Sequence, residues 1–150
     1  MNRTLLSILI LLLVTSGVSA QYISGLTLNH DGETRQYDLY LPVNYSPEES
    51  MPLILNMHGF SATSASQAAY SEFNTIADTA RFIVVYPQGL VRTIDTGQTG
   101  AHWNAYFGTD VDDKGFLIKL MDKLIVDYNI DESRIYATGW SNGGYMAYRL

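Results

Sequence analysis

Two β-rich stretches, 22–28 and 34–41, open the patterned part of the chain, with Asn29-His30-Asp31-Gly32 between them. The Asp-Gly pair suits a tight hairpin turn, so the stretches are expected to pair antiparallel, with Pro42 closing the second. The unbroken apolar run 52–57 reads as a strand buried on both faces and stops at His58-Gly59. Residues 65–81 place Ala69, Phe73, Ile76, Ala77 and Ala80 at helical spacing behind a Ser-rich lead-in, which predicts one capped helix. A second buried strand is expected over 82–86.

Residues 87–109 are Gly- and Thr-rich without a period, a long loop of the kind that carries function in compact domains. The stripe Leu117, Leu120, Met121, Leu124, Ile125 and Tyr128 then predicts a helix capped by Thr109 or Asp110. Asp112 and Asp113 suit the positive end of its dipole, and Gly115 is its local weakness. A third buried strand is expected over 134–138, and 145–150 reads as the start of another helix. A hairpin followed by alternating strands and helices predicts an α/β fold: a mostly parallel sheet with an antiparallel N-terminal strand pair and helices on both faces.

Ahead of this pattern lies a different signal. Arg3 precedes an apolar run over 5–14 interrupted only by Ser7, and Val18-Ser19-Ala20 follows with small or compact residues. Residues 1–20 therefore read as a secretory signal peptide, since the run is short of the ~20 apolar residues of a membrane span. The mature part, 21–150, is then one portion of one domain, secreted to an extracellular or periplasmic space. Its eight basic against fifteen acidic side chains argue against nucleic acid and against an anionic membrane as partners. The absence of cysteine removes disulfides, thiolate metal sites and a cysteine nucleophile. Any nucleophile must be oxygen or nitrogen.

Gly139-Trp140-Ser141-Asn142-Gly143 fits GxSxG between a predicted strand and a predicted helix, the context in which that pattern makes a nucleophile elbow. Gly139 and Gly143 remove side chains that would clash in the turn, Ser141 is the candidate catalytic nucleophile, and the N–H of Asn142 is one oxyanion donor. The loop His58-Gly59-Phe60 follows the first buried strand and offers the N–H of Phe60 as the second donor. His58 is assigned to ordering that loop in preference to acting as the base. Trp103, with Tyr106 and Phe107, either stacks on substrate or pins the long loop. No metal site is expected: Asp110, Asp112 and Gly115 resemble the opening of a calcium loop, but Lys114 and Met121 stand at ligand positions.

These motifs, together with the ordered segments at 53–60, 82–89, 102–104, 111–116, 134–144 and 146–148, resemble secreted polyhydroxybutyrate depolymerases and their feruloyl esterase relatives over residues 35–150. The resemblance implies an α/β-hydrolase fold, a Ser-Asp-His mechanism without metal or cofactor, and esters of hydroxyalkanoates or of plant polysaccharides, polymeric or not, as substrates. Trp140 and Lys114 stand where the family carries Met or Leu and Val, which bears on substrate preference. The nine residues after Ser141 hold no His, Asp or Glu, so the chain reads as the N-terminal part of a longer hydrolase, truncated after the nucleophile elbow. Taken alone, such a piece is expected to fold poorly and to be inactive. A non-catalytic polysaccharide- or polyester-binding protein on the same scaffold and a serine peptidase are the competing readings.

Overall fold

A computed structural model describes residues 19–105 and 109–150. The leader assigned to 1–20 lies outside these residues except at its last two positions, as do Tyr106 and Phe107. The main sheet has five strands: β1 (Gln21–His30), β2 (Glu33–Leu41), β3 (Met51–Met57), β4 (Ile83–Pro87) and β7 (Ile130–Gly139). Their order is β1-β2-β4-β3-β7. β1 runs antiparallel to β2 and β2 antiparallel to β4, whereas β3 is parallel to both β4 and β7. This is the mixed α/β sheet that the pattern predicts. The β1–β2 turn is made by Asp31 (φ 49°) and Gly32 (φ 77°), two successive left-handed residues that match the twist of a two-residue hairpin.

Strict alternation in the central strands divides the core in two. Leu39, Leu53, Leu55, Met57, Ile83 and Val85 face one side, where they pack with Trp103, with Phe116, Leu117, Leu120 and Leu124 of α3 (Asp113–Asp127), and with Met146 of α4 (Asn142–Arg149). Tyr40, Val84 and Tyr86 face the other, against Ala68 of α1 (Ser64–Ser71) and Ala77 of α2 (Phe73–Ala80). Helices on both faces explain why β3 and β4 read as continuous apolar runs.

Four expectations are corrected. The single helix over 65–81 is two, broken at Glu72, whose left-handed backbone (φ 55°, ψ 21°) ends α1 and starts α2. The break moves the buried side chains to Gln67, Ala68 and Ala77, leaving Ala69, Ile76 and Ala80 exposed. The long loop contains a hairpin, β5 (Leu90–Thr93) with β6 (Thr99–His102), whose four-residue strands are too short to show a period. The cap of α3 is Asp112, which accepts the Gly115 N–H at 3.0 Å. Gly115 is needed for that cap, because a Cβ there would lie 2.8 Å from Asp112 Cγ. Finally, β7 is not buried on both faces: it pairs with β3 alone among the described strands, and most of its side chains are exposed or half-exposed.

Candidate active site

The parallel strands β3 and β7 deliver His58 and Ser141 side by side at their C-terminal ends. Ser141 has φ 51° and ψ −117°, a conformation that L residues rarely adopt, and it stands between the end of β7 and the first turn of α4. Three hydrogen bonds fix the turn. Trp140 N–H donates to Met57 O at 3.1 Å, Gly143 N–H to Trp140 O at 2.9 Å, and Tyr145 N–H to Ser141 O at 3.1 Å. Both flanking glycines are required by close backbone approach. A Cβ on Gly139 would lie 2.6 Å from Gly143 C and from Met57 O, and one on Gly143 would lie 2.6 Å from His58 O. The Ser141 side is exposed to solvent, whereas Asn142 is buried. Asn142 is the first residue of α4, so its N–H belongs to the group that a helix start leaves without a carbonyl of its own.

The loop after β3 lies against this turn. A Cβ built on Gly59 would meet Trp140 O at 3.3 Å, closer than Cβ atoms usually come, and Ser141 Cβ at 3.5 Å, so Gly59 and Ser141 are near neighbours. Ser61 (φ 59°) turns the loop, and its N–H donates to Ala101 O of β6 at 2.8 Å. The Phe60 ring packs on the His102 ring at 5.8 Å. The β5–β6 hairpin is therefore the support of the His58–Phe60 segment.

His58 is fully buried, and both ring nitrogens are engaged. Nδ1 lies 2.7 Å from Gly59 O, while Nε2 accepts the Gly89 N–H at 2.9 Å and the Gln88 amide at 3.0 Å. This pattern requires the neutral tautomer with the proton on Nδ1. Burial pushes the His58 pKa below the ordinary histidine value, in the same direction. The other two histidines are engaged elsewhere: His102 Nδ1 lies 2.9 Å from Gly100 O, and His30 Nε2 lies 3.0 Å from Asp112 Oδ2.

Trp103 is fully buried. Its indole N–H donates to His58 O at 2.9 Å, and its ring packs against the His58 ring at 5.0 Å. Of the two readings of Trp103, substrate contact is excluded by this burial, and pinning of the long loop is what the contacts describe. Its backbone is held by the Asn142 side chain, with Trp103 N–H donating to Oδ1 at 2.7 Å and Nδ2 donating to Trp103 O at 3.0 Å. Asn142 thus has a second use that its motif position does not reveal.

Two features escaped the sequence reading. Arg35 and Asp113, both 1% exposed, form an ion pair at 2.6 Å, with the Arg35 guanidinium 3.9 Å above the Phe116 ring. The second Asp113 oxygen accepts the Asn104 N–H at 2.7 Å, which ties the residue after Trp103 to the start of α3. Spacing of 78 residues gives no local signal for such a pair. The other feature is an aromatic stack next to Ser141: Trp140 and Tyr70 of α1 lie with ring centroids 4.3 Å apart and planes 12° apart. Close to the hairpin tip, one His30 nitrogen and one carboxylate oxygen each from Asp31 and Asp112 come within 4.8 Å of one another. The Asp112 oxygens there are already used by the α3 cap and by His30.

Comparisons with known proteins agree with this architecture. Residues 35–150 match the family model described as esterase PHB depolymerase. The chain is 32% identical over 117 residues to a bifunctional acetylxylan esterase/xylanase of Neocallimastix patriciarum, covering 78% of this chain and 16% of that protein. It is 33% identical over 103 residues to poly(3-hydroxyalkanoate) depolymerase C of Paucimonas lemoignei, covering 63% and 23%. Among solved structures, a ferulic acid esterase superposes with a TM-score of 0.68 at 19% identity, covering 86% of this chain and 53% of that one. A fluorophosphonate-binding serine hydrolase of Staphylococcus aureus superposes at 0.66 and 17% identity, covering 86% and 50%. The chain spans about half the length of these solved structures and a quarter or less of these two curated relatives. With the strand order of an α/β-hydrolase and a family match over most of its length, the chain belongs to the PHB depolymerase esterase family.

Proposed function

We propose that this chain carries the nucleophile and oxyanion site of a secreted serine esterase acting on hydroxyalkanoate esters or on acetyl or feruloyl esters of polysaccharides. The observation that carries the reading is the backbone of Ser141, held at φ 51° between β7 and α4 with the Gly59 loop beside it. A strained serine is retained where its position serves chemistry.

In this reading Ser141 Oγ attacks the ester carbonyl carbon while its proton passes to a base. The carbonyl oxygen becomes an oxyanion held by the N–H groups of Asn142 and Phe60, with the α4 N-terminus adding favourable potential. Collapse breaks the C–O bond to the alcohol, which leaves with the proton, and water then releases the acid from Ser141 by the same steps reversed in role. His58 orders the oxyanion loop and is not the base, because its Nε2 already accepts two hydrogen bonds. The fold's order of nucleophile, acid, histidine places the base and its orienting carboxylate after Ser141 in sequence. The intact protein should hydrolyse p-nitrophenyl esters, and Ser141→Ala should abolish turnover. Turnover retained at the wild-type rate by that variant would refute the assignment.

A further inference from the structure

Trp140 and Tyr70 are large aromatic residues left half-exposed, at 54% and 63%, beside the candidate nucleophile. Stacking covers one face of each ring at most, so the pair still presents aromatic surface to solvent. The pair belongs to a groove of about 510 Å³, within the ~300–1,000 Å³ range of ligand sites, between the end of β7 and α1. Phe73 adds a third ring to its lining, and Asn56, Gln67, Ser71 and Thr138 add polar groups, of which the amides are held in place. Gln67 and Asn56, 4% and 1% exposed, are locked together by Gln67 Nε2 donating to Asn56 Oδ1 at 2.8 Å. Asn56 Nδ2 in turn donates to Ser71 Oγ at 2.9 Å. Among the described residues, no hydrogen bond is made by Gln67 Oε1 or by the Trp140 indole N–H. The groove therefore combines an aromatic platform with an acceptor at its edge and a donor on the platform itself.

We infer that the Trp140–Tyr70 stack and the Gln67 amide form a subsite for a sugar ring of the substrate, placed one residue from Ser141. A pyranose has apolar C–H faces that lie on an aromatic ring and equatorial hydroxyls that both donate and accept at its rim. The Gln67 acceptor meets a hydroxyl donor, and the indole N–H meets a hydroxyl acceptor. A polyhydroxyalkanoate chain has ester oxygens but no internal donors, so it leaves Gln67 Oε1 without a partner. This inference rests on the esterase reading for its link to catalysis, but not for binding itself, and it narrows the substrate class to carbohydrate esters.

Isothermal titration of the intact protein with xylotetraose, which carries no ester, reads binding independently of Ser141. Saturable binding is expected, weakened at least tenfold by Trp140→Ala and by Tyr70→Ala and largely restored by Trp140→Tyr, which keeps a ring. A hydroxybutyrate trimer should give no heat of binding. In turnover, the ratio of kcat/KM on acetylated xylotetraose to that on p-nitrophenyl acetate should fall at least tenfold in Tyr70→Ala. Absence of xylotetraose binding, binding undiminished in both alanine variants, or tighter binding of the hydroxybutyrate trimer would each overturn the subsite. An equal loss on both ester substrates would assign the stack to positioning the elbow instead. Xylotetraose binding without turnover of any ester would leave the subsite standing and refute the esterase reading.

Discussion

The side-chain amide of Asn142 closes a two-point hydrogen bond on the backbone of Trp103, 39 residues earlier, in the manner of a strand neighbour. The residue after Ser141 thereby fastens the loop that underlies His58, and Trp103 completes the link through its indole N–H on His58 O. The turn at Ser141 and the loop at 58–60 are joined through one buried tryptophan. Asn142→Ala would strand the buried N–H of Trp103, whereas Trp103 O keeps the Ala105 N–H at 2.8 Å. At roughly 1–3 kcal/mol for a buried unsatisfied group, a loss of about 1–3 kcal/mol is expected by urea denaturation. A loss under about 0.5 kcal/mol would show that the bond is not made.

Ser141 stores backbone strain that glycine would not feel. Left-handed or otherwise rare backbone costs about 1–3 kcal/mol, of which glycine's greater freedom in the unfolded chain returns roughly 0.5–1. Ser141→Gly should therefore raise stability by about 1 kcal/mol while removing ester turnover, measured by denaturation and by p-nitrophenyl ester assay. A Gly variant less stable than wild type would contradict the strained geometry.

The Arg35–Asp113 pair is buried on both sides, so solvent does not screen it. Asp113→Asn leaves the Arg35 charge buried without its counter-ion, a change that costs about 3–5 kcal/mol in buried pairs. The double variant Arg35→Met with Asp113→Asn should recover most of that loss, since no unpaired charge remains. Equal destabilisation by the single and double variants would place the cost elsewhere, at the Asn104 N–H that Asp113 also accepts.

His58 makes stability depend on pH with a definite sign. Its folded pKa is depressed by burial, so the unfolded chain binds its proton more readily. The contribution is complete above the unfolded value of about 6.5 and is lost as pH falls from there through the folded pKa. Melting temperature between pH 7 and pH 5 should therefore drop more steeply for wild type than for His58→Gln. Parallel slopes would mean that His58 titrates as it does in the unfolded chain.

Much of this fold was legible because its signals are local. Asp31-Gly32 announces the hairpin, the runs of β3 and β4 announce strands covered on both faces, and Gly139 to Gly143 announces a turn that a Cβ would block. What the sequence did not disclose depends on partners distant in the chain. Glu72 breaks a helix through its own backbone while the apolar spacing continues past it. Asp113 looked like a dipole residue because Arg35 is 78 positions away. For Trp103 an aromatic residue in a long loop fits substrate stacking and loop pinning equally well, and only its packing against His58 shows it to be core. Tyr70 gave no signal at all, since its significance is its place over Trp140.

The central claim is that Ser141 is the activated nucleophile, and covalent labelling tests it most directly. The intact protein would be treated with a fluorophosphonate, digested with trypsin and analysed by mass spectrometry for the peptide between Arg134 and Arg149. A single adduct on Ser141, absent after denaturation before labelling, is the predicted result. An unmodified peptide from active protein, or an adduct on a different residue, would contradict the account.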